Sequence, residues 1–278
     1  MDKKLKLPAM PSAVRVINDA ELKRLKRLNG ALWCTRAQVC HTCQGQGWFR
    51  SKVGDEIVEY ECNCTEQMLM SLWFANAGLG DEQQRASWDQ LKSIDLDAAE
   101  AAALYAQDCE NNMARGRGLF LIGKEYGTGK TLLTTLVLKW FMAHGFDAQF
   151  FLFPSLLSAF SDGWDNPEDK DWFRQRAISS PFLVIDDIGK EADSRRNTAI
   201  MEAFEMVVQS RANQGLPTIL STNLTLDQVK NRYGGHILSR LAGYSEVIEM
   251  GGTDFRPEHD KIKGENVENG LVSPVRWK

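Results

Sequence analysis

The sequence predicts an α/β fold that is built on a parallel β-sheet. Three short runs carry this prediction: residues 119–122 and 182–185 are apolar, and residues 217–222 read Pro-Thr-Ile-Leu-Ser-Thr. Each run suits a buried strand, and each is followed by a different polar group: a glycine-rich turn, a pair of carboxylates and an amide. Parallel sheets bind their ligands at the edge where such groups leave the strands. We therefore expect one ligand site at this edge.

The glycine-rich turn at residues 123–131 reads Gly-Lys-Glu-Tyr-Gly-Thr-Gly-Lys-Thr and joins the first strand to a helix. Residues 132–142 are helix-forming, and Gly145 is a suitable helix stop. Backbone N–H groups in such a loop wrap a polyphosphate, the lysine reaches the β- and γ-phosphates, and the threonine hydroxyl ligates Mg²⁺. The predicted nucleotide-binding residues are Gly127, Thr128, Gly129, Lys130 and Thr131.

The first glycine of this loop is out of register. In the pattern G-x-x-x-x-G-K-[ST], the first glycine falls on Lys124 when counted back from Gly129, whereas the chain has its glycine at position 123. Either the loop carries a one-residue insertion or Lys124 replaces the glycine. The core Gly-Thr-Gly-Lys-Thr is kept in both cases.

The other two runs supply candidate catalytic groups. The strand after Pro181 ends in Asp186 and Asp187. We expect Asp186 to hold Mg²⁺, directly or through one of its ligands, and Asp187 to orient or activate the attacking water. The third run ends in Asn223, whose amide is expected to polarise water beside the γ-phosphate, with an ordinary N-capping asparagine as the alternative.

Further elements are expected to alternate along the chain. They are a helical lead-in at 65–117, a strand at 148–153 closed by Pro154, helical residues at 155–180, a helix carrying Ile200, Phe204, Val207 and Val208 that Gly215 ends, a helix at 226–242 and a last strand at 246–250.

Composition and charge limit the classes of protein to which the chain can belong. The chain of 278 residues has a net charge of −4 and 43% hydrophobic residues, which predicts a soluble protein with one sizeable core and a small accessory domain. No apolar run approaches the length of a membrane span, and no apolar signal segment opens the chain, which favours a cytoplasmic protein without membrane contact. Residues 1–30 are basic and favour a short helix that touches DNA or a partner, or else a solvated leader.

Five of the six cysteines lie between positions 34 and 64. Clustered cysteines with C-x-x-C spacing are more often metal ligands than disulfides in a reducing compartment, and four thiolates suit Zn²⁺. Unliganded buried cysteines and a redox pair are the alternatives, and Cys34 or His41 is an alternative donor. The predicted zinc ligands are Cys40, Cys43, Cys62 and Cys64.

The motifs follow one another in a distinctive order: Gly-Thr-Gly-Lys-Thr, Val-Ile-Asp-Asp-Ile-Gly, Pro-Thr-Ile-Leu-Ser-Thr-Asn and Ser-Arg-Leu at 239–241. In this order the chain resembles the AAA+ ATPases and, within them, the DnaC/DnaI group of bacterial and phage replicative-helicase loaders. The resemblance extends from Ala86 to Arg256. It also reaches the cysteines at positions 40–64, because some loaders carry an N-terminal zinc-binding domain with similar spacing.

This resemblance implies a five-stranded parallel sheet with helices on both faces and ATP as the substrate. It implies that Asn223 is a sensor near the γ-phosphate, that Arg240 is a finger entering the site of a neighbouring subunit, and that Arg256 is a candidate second sensor. Asp187 stands where many AAA+ proteins have glutamate, which favours slow, switch-like hydrolysis. The implied partners are a hexameric replicative helicase, single-stranded DNA and further copies of the chain.

The predicted organisation is a basic leader at 1–30, a zinc-binding domain that holds the partner at 31–80, an ATPase domain at 81–256 and a polar tail at 257–278. Two other functions fit the same motifs. One is a related transposition-helper ATPase that acts on duplex DNA, which the cysteine module disfavours. The other is a zinc adaptor that holds nucleotide without hydrolysing it. A small-molecule kinase fits less well, because no substrate lid follows the acidic strand.

Overall fold

The computed structural model describes residues 43, 48–62, 64–93, 95–190 and 198–257. The chain divides into two compact units, one made of residues 1–86 with 263–278 and the other of residues 87–262. The predicted basic helix near the N-terminus, Cys34, Cys40, His41 and the polar tail beyond residue 257 lie outside the described residues.

The small unit contains a β-hairpin followed by helices. Strands β1 (Trp48–Val53) and β2 (Glu56–Glu61) pair antiparallel and form a hairpin between Cys43 and Cys62. Gly54 occupies the first position of the two-residue turn with φ +65°, a conformation that favours glycine. Helices α1 (Cys64–Asn76) and α2 (Asp81–Arg85) follow.

The large unit is built on the predicted five-stranded parallel sheet. Its strands lie in the order β4-β5-β6-β3-β7, and every adjacent pair is parallel. All residues of β3 are buried, as its apolar sequence requires. The strands are β3 (Gly118–Ile122), β4 (Ala148–Leu152), β5 (Phe182–Ile188), β6 (Thr218–Thr222) and β7 (Ser245–Glu249).

Helices account for most of the remaining described residues of this unit. Among the described residues, no helix is long and apolar enough to cross a membrane. The helical elements are a 3₁₀ turn (Trp88–Ser93), α3 (Leu96–Gln107), α4 (Cys109–Arg115), α5 (Lys130–Ala143), α6 (Phe153–Asp165), α7 (Pro167–Phe173), a π-helical turn (Arg174–Ile178), α8 (Thr198–Asn213), α9 (Leu226–Tyr233) and α10 (Gly235–Tyr244).

A buried arginine ties three of these elements together. Arg211 on α8 is fully buried and donates hydrogen bonds to the carbonyl oxygens of Ser180 at 2.7 Å and Pro217 at 2.8 Å, and to the Thr218 hydroxyl at 2.8 Å. Its guanidinium also donates to the carbonyl oxygens of Ala177 and Ile178. Burial lowers the pKa of Arg211 to about 9, so the side chain remains charged at neutral pH. The backbone that leads into β5 and β6 is therefore fixed by one cation.

Two of the expected elements were wrong in detail. Pro154 does not simply close β4, because it lies in the first turn of α6, where its missing N–H is not needed. The single helix expected at 226–242 is divided into α9 and α10 at Gly234, which adopts φ +94°. Gly145 ends α5 as expected, with φ +85° and a hydrogen bond from the following N–H to Phe141 O at 3.1 Å.

Candidate nucleotide-binding site

The sheet order brings the predicted site residues to one edge. Strand β6 lies between β3 and β5, so Asn223 lies between the glycine-rich loop that follows β3 and the two aspartates that end β5. The loop, Asp187 and Asn223 line one open cavity, whereas Asp186 is buried beneath it. Its lining includes Gly127 to Leu132, Asp187, Asn223, Phe255 and Arg256.

The loop geometry explains the displaced glycine. The N–H of Gly123 donates to Thr222 O at 3.2 Å and so continues the β3–β6 ladder, which makes this residue the end of the strand. A Cβ at Gly123 would lie 2.5 Å from Met250 O. Among the described non-glycine residues, only Asp187 has a positive φ, so Lys124 needs no glycine conformation. The turn itself depends on Gly127 and Gly129, whose φ values are +71° and +96°.

Lys130 lies across the loop. Its ammonium donates to the carbonyl oxygens of Gly123 at 3.0 Å and Glu125 at 2.8 Å and to the Thr128 hydroxyl at 3.0 Å, and the residue is 6% exposed. Burial lowers the pKa of Lys130. The negative charges of Asp187 and Asp186 act in the opposite direction and raise it, but burial has the larger effect. The loop therefore holds its cation at the cavity wall.

Asp186 is linked to the loop. The Thr131 hydroxyl donates to Asp186 Oδ2 at 2.7 Å, and the Ser221 hydroxyl donates to Asp186 Oδ1. Burial raises the pKa of this fully buried carboxyl, whereas the Ser221 and Thr131 hydroxyls act to lower it. Adjacent hydroxyl and carboxylate oxygens are ligands that Mg²⁺ prefers, so Thr131 and Asp186 fit the metal that a nucleotide brings.

A β-bulge sets the position of Asp187. Ile185 pairs with Leu220 and Ile188 with Thr222, so β5 carries one extra residue there. Asp187 adopts φ +62°, donates its N–H to the Ser221 hydroxyl at 3.0 Å and accepts from Lys190 Nζ at 2.7 Å. Strain of this kind costs about 1–3 kcal/mol. The bulge interrupts the alternation of side-chain directions in a regular strand, so that the consecutive carboxylates of Asp186 and Asp187 both lie at the carboxyl edge of the sheet.

Two of these contacts were absent from the sequence analysis. Ser221 lies within the run Pro-Thr-Ile-Leu-Ser-Thr-Asn, but only its alignment with the bulge gives it two partners on β5. Lys190 follows Gly189 and carries no motif of its own. A hydroxyl directly before the final residues of a strand is a weak signal, and pairing information would be required to use it.

The segment that follows β7 contacts the phosphate loop. Met250 N donates to Ile122 O at 2.7 Å, and Phe255 N donates to Gly127 O at 3.2 Å. A Cβ at Gly127 would overlap the carboxylate of Asp254. This contact places Arg256, which the resemblance marks as a second sensor, at the cavity wall.

The same segment is joined to the start of α3. Gly251 N donates to the carboxylate of Asp95 at 2.9 Å, and the N–H of Ala98 donates to the same side chain at 3.2 Å. These hydrogen bonds lower the pKa of Asp95. The position of the segment over the loop is therefore fixed from both sides.

Arg240 does not join the site of its own chain. It lines a groove with Gly118, Thr218 and Ser245, which begin β3, β6 and β7, so it lies at the opposite edge of the sheet.

The predicted zinc ligands are only partly described. Cys43 and Cys62 are buried at 5% and 4% exposure, whereas Cys40 lies outside the described residues. Among the side chains that the structure describes, no group of three or more metal ligands is found.

These features define a class of protein. A buried strand, a glycine-rich loop, a helix and an acidic parallel strand, with β6 inserted between the loop strand and the acidic strand, form an α/β domain with the AAA+ type of fold. No protein-family profile matches the chain.

Comparison with known proteins confirms the expected resemblance to helicase loaders. A crystal structure of the DnaC helicase loader matches with a TM-score of 0.54 and 24% identity, covering 62% of this chain and 100% of that one. A crystal structure of DnaI matches with a TM-score of 0.50 and 23% identity, covering 62% and 95%. In sequence, the chain is 26% identical over 123 residues to the replicative helicase loader DnaI of Bacillus subtilis (strain 168), which is 44% of this chain and 38% of that relative.

Proposed function

We propose that this protein is an ATP-dependent loader that binds a hexameric replicative helicase and helps to place it on single-stranded DNA. The observation that carries the proposal is the 2.7 Å hydrogen bond between Thr131 and Asp186, which joins the phosphate loop to the acidic strand in a fold similar to that of DnaC and DnaI. ATP is the substrate, and Mg²⁺ accompanies it.

Nucleotide binding uses the loop and the segment above it. The N–H groups of Gly127 to Thr131 and the start of α5 cradle the phosphates, and Lys130 exchanges its loop acceptors for phosphate oxygens. Thr131 and Asp186 hold the metal ion that the nucleotide carries. Arg256, which lines the same cavity, adds a second cation.

Hydrolysis requires a group that orients the attacking water. Asp187 supplies it, because its bulged position exposes the carboxylate to the cavity, with Asn223 beside it. The ion pair with Lys190 and the short aspartate side chain both favour slow turnover that depends on a partner. Arg240 completes a site only in trans, since it lies at the opposite edge from the loop of its own chain.

The small unit binds the helicase. Val53 and Ile57, beside the hairpin turn, are 54% and 71% exposed, so the hairpin offers apolar side chains to a protein partner. One Zn²⁺ per chain, held by Cys40, Cys43, Cys62 and Cys64, is proposed to fix this hairpin; the burial of Cys43 and Cys62 supports it. Metal analysis of protein purified without chelator tests the zinc, and full zinc content in Cys62→Ser would contradict this ligand set.

A loading assay tests the function. The protein should place a cognate hexameric helicase on circular single-stranded DNA in the presence of ATP, and Asp187→Asn should bind ATP without hydrolysing it. Duplex-DNA binding with transposase recruitment and no loading would favour a transposition helper instead. ATP binding without phosphate release under every condition would favour a nucleotide-bound zinc adaptor.

A further inference from the structure

Arginines surround an open cavity at the amino edge of the sheet, away from the nucleotide site. The cavity has a volume of about 310 Å³, and Arg115, Arg117, Tyr244 and Ser245 contribute to its lining. The adjacent groove shares Tyr244 and Ser245 with it and extends to Arg240. Three arginines therefore lie along one continuous surface.

The backbone that carries two of these arginines is firmly held. Gly116 adopts φ +62° between them, and a Cβ there would lie 2.6 Å from Gly215 O. Arg117 N donates to Asn112 O at 2.9 Å, and the buried Tyr105 hydroxyl donates to Arg117 O at 2.6 Å. Because the turn is fixed on both sides, the two side chains start from a preorganised backbone.

The chemistry of this surface suits phosphate. Guanidinium groups bind phosphate oxygens through paired hydrogen bonds, and the Tyr244 and Ser245 hydroxyls add further donors. Arg117 pairs with Glu246 at 3.5 Å, but both side chains are about half exposed, so this pair is weak and open to exchange. The described residues that line the cavity include two arginines and no carboxylate.

We propose that Arg115 and Arg117 act with Arg240 to bind the nucleotide phosphates held by a second copy of this chain. The inference rests on the proposed function, since it needs a phosphate-loaded loop. The loop lies at the carboxyl edge of the sheet and the arginines at its amino edge, so head-to-tail association joins the two. Exposed Glu125 and Asp254 beside the loop add to the negative charge that the arginines would meet.

The test measures ATP hydrolysis by the full chain as a function of protein concentration. The double variant Arg115→Ala/Arg117→Ala should need a roughly tenfold higher concentration for half-maximal specific activity, because charged contacts at an interface are lost. Its affinity for a fluorescent ATP analogue should equal that of the wild type. Mixing it with Lys130→Ala should recover activity, because the Lys130→Ala chain supplies intact arginines to an intact loop. Arg174→Ala, which removes an exposed arginine outside both cavities, is the matched control.

Three outcomes would overturn the proposal. The double variant could keep the concentration dependence of the Arg174→Ala control, while Arg240→Ala loses activity. It could lose affinity for single-stranded DNA with hydrolysis unchanged, which would make the surface a DNA contact. It could lose nucleotide binding, which would make the arginines part of its own fold. Equal ATP binding by wild type and Lys130→Ala would instead contradict the proposed ATP-dependent function. The failure of the arginine proposal can therefore be distinguished from the failure of the proposed function.

Discussion

Two buried cations, Lys130 and Arg211, lie at opposite edges of the same sheet and are satisfied in the same way. Each donates mainly to backbone carbonyl oxygens, and burial lowers the pKa of each. Their surroundings differ. Lys130 lines an open cavity near two carboxylates, whereas Arg211 is fully enclosed. Burial and hydrogen bonding therefore do not distinguish the two cations, but access to a cavity does.

The largest expected effect is the loss of the enclosed cation. Arg211→Ala leaves buried carbonyl groups of the turns before β5 and β6 without their donor, and each such group costs about 1–3 kcal/mol. We expect the free energy of unfolding to fall by about 4 kcal/mol in urea denaturation. Arg211→Lys keeps the positive charge but loses the several N–H donors of the guanidinium, so its free energy of unfolding should lie between those of the wild type and Arg211→Ala. A loss below about 1 kcal/mol would show that these carbonyls find other partners.

Removing the open cation should affect binding instead. Lys130→Ala should weaken ATP binding by about a hundredfold, because a charge-assisted contact with phosphate is lost, and should change stability by less than about 1 kcal/mol. Isothermal titration and urea denaturation measure the two quantities. The matched control is Lys124→Ala, which removes an exposed lysine from the same loop. A stability loss comparable to that of Arg211→Ala would remove the distinction between the two cations.

The buried carboxyl of Asp186 extends the comparison of the two cations to the dependence of stability on pH. The folded-state pKa of Asp186 is raised, so ionising this carboxyl costs the folded protein stability at pH values above its folded pKa and costs nothing below its ordinary value. Asp186→Asn should therefore raise stability at neutral pH, and the gain should decline as the pH falls through the raised folded pKa and vanish below the ordinary pKa of an aspartate. Thermal melts from pH 3 to pH 8 measure this. Asp187→Asn, whose carboxylate is partly exposed and ion-paired, should show no such gain.

The smallest expected effect is at the ion pair beside the bulge. Lys190 and Asp187 side chains are 42% and 22% exposed, and solvent screens such a pair, so Lys190→Met should change stability by less than about 1 kcal/mol. Release of Asp187 from its partner should instead change the rate of hydrolysis, measured as phosphate release at saturating ATP. Unchanged turnover would show that the pair does not restrain the carboxylate.

Local sequence was sufficient to predict the parts of the candidate site whose residues are close together in the chain. The loop from Gly127 to Thr131 and the aspartates at the end of β5 could be predicted, because strand, turn and helix signals occur side by side. The parallel sheet and its strands were likewise predicted, since their apolar runs are short and bounded.

Contacts between distant residues could not be predicted in this way. Ser221 gains its role from a register shift between β5 and β6, and Arg211 from the approach of three separate backbones. The segment after β7 reaches the loop through backbone hydrogen bonds, which leave no side-chain pattern in the sequence. The division of the helix at Gly234 was missed because glycine within a helical pattern is often tolerated.

The position of β3 has a consequence for the order of folding. Both of its neighbours, β6 and β7, are formed by residues that come much later in the chain, and the hydrogen bond between Gly251 and Asp95 spans 156 positions. Contacts of such long range form slowly, because the loops that they close are long. During synthesis, the phosphate loop emerges well before any strand that can pair with β3. A nascent chain that ends before Met250 would thus carry the whole nucleotide motif and still lack the hydrogen bonds that Met250 N and Phe255 N donate to Ile122 O and Gly127 O.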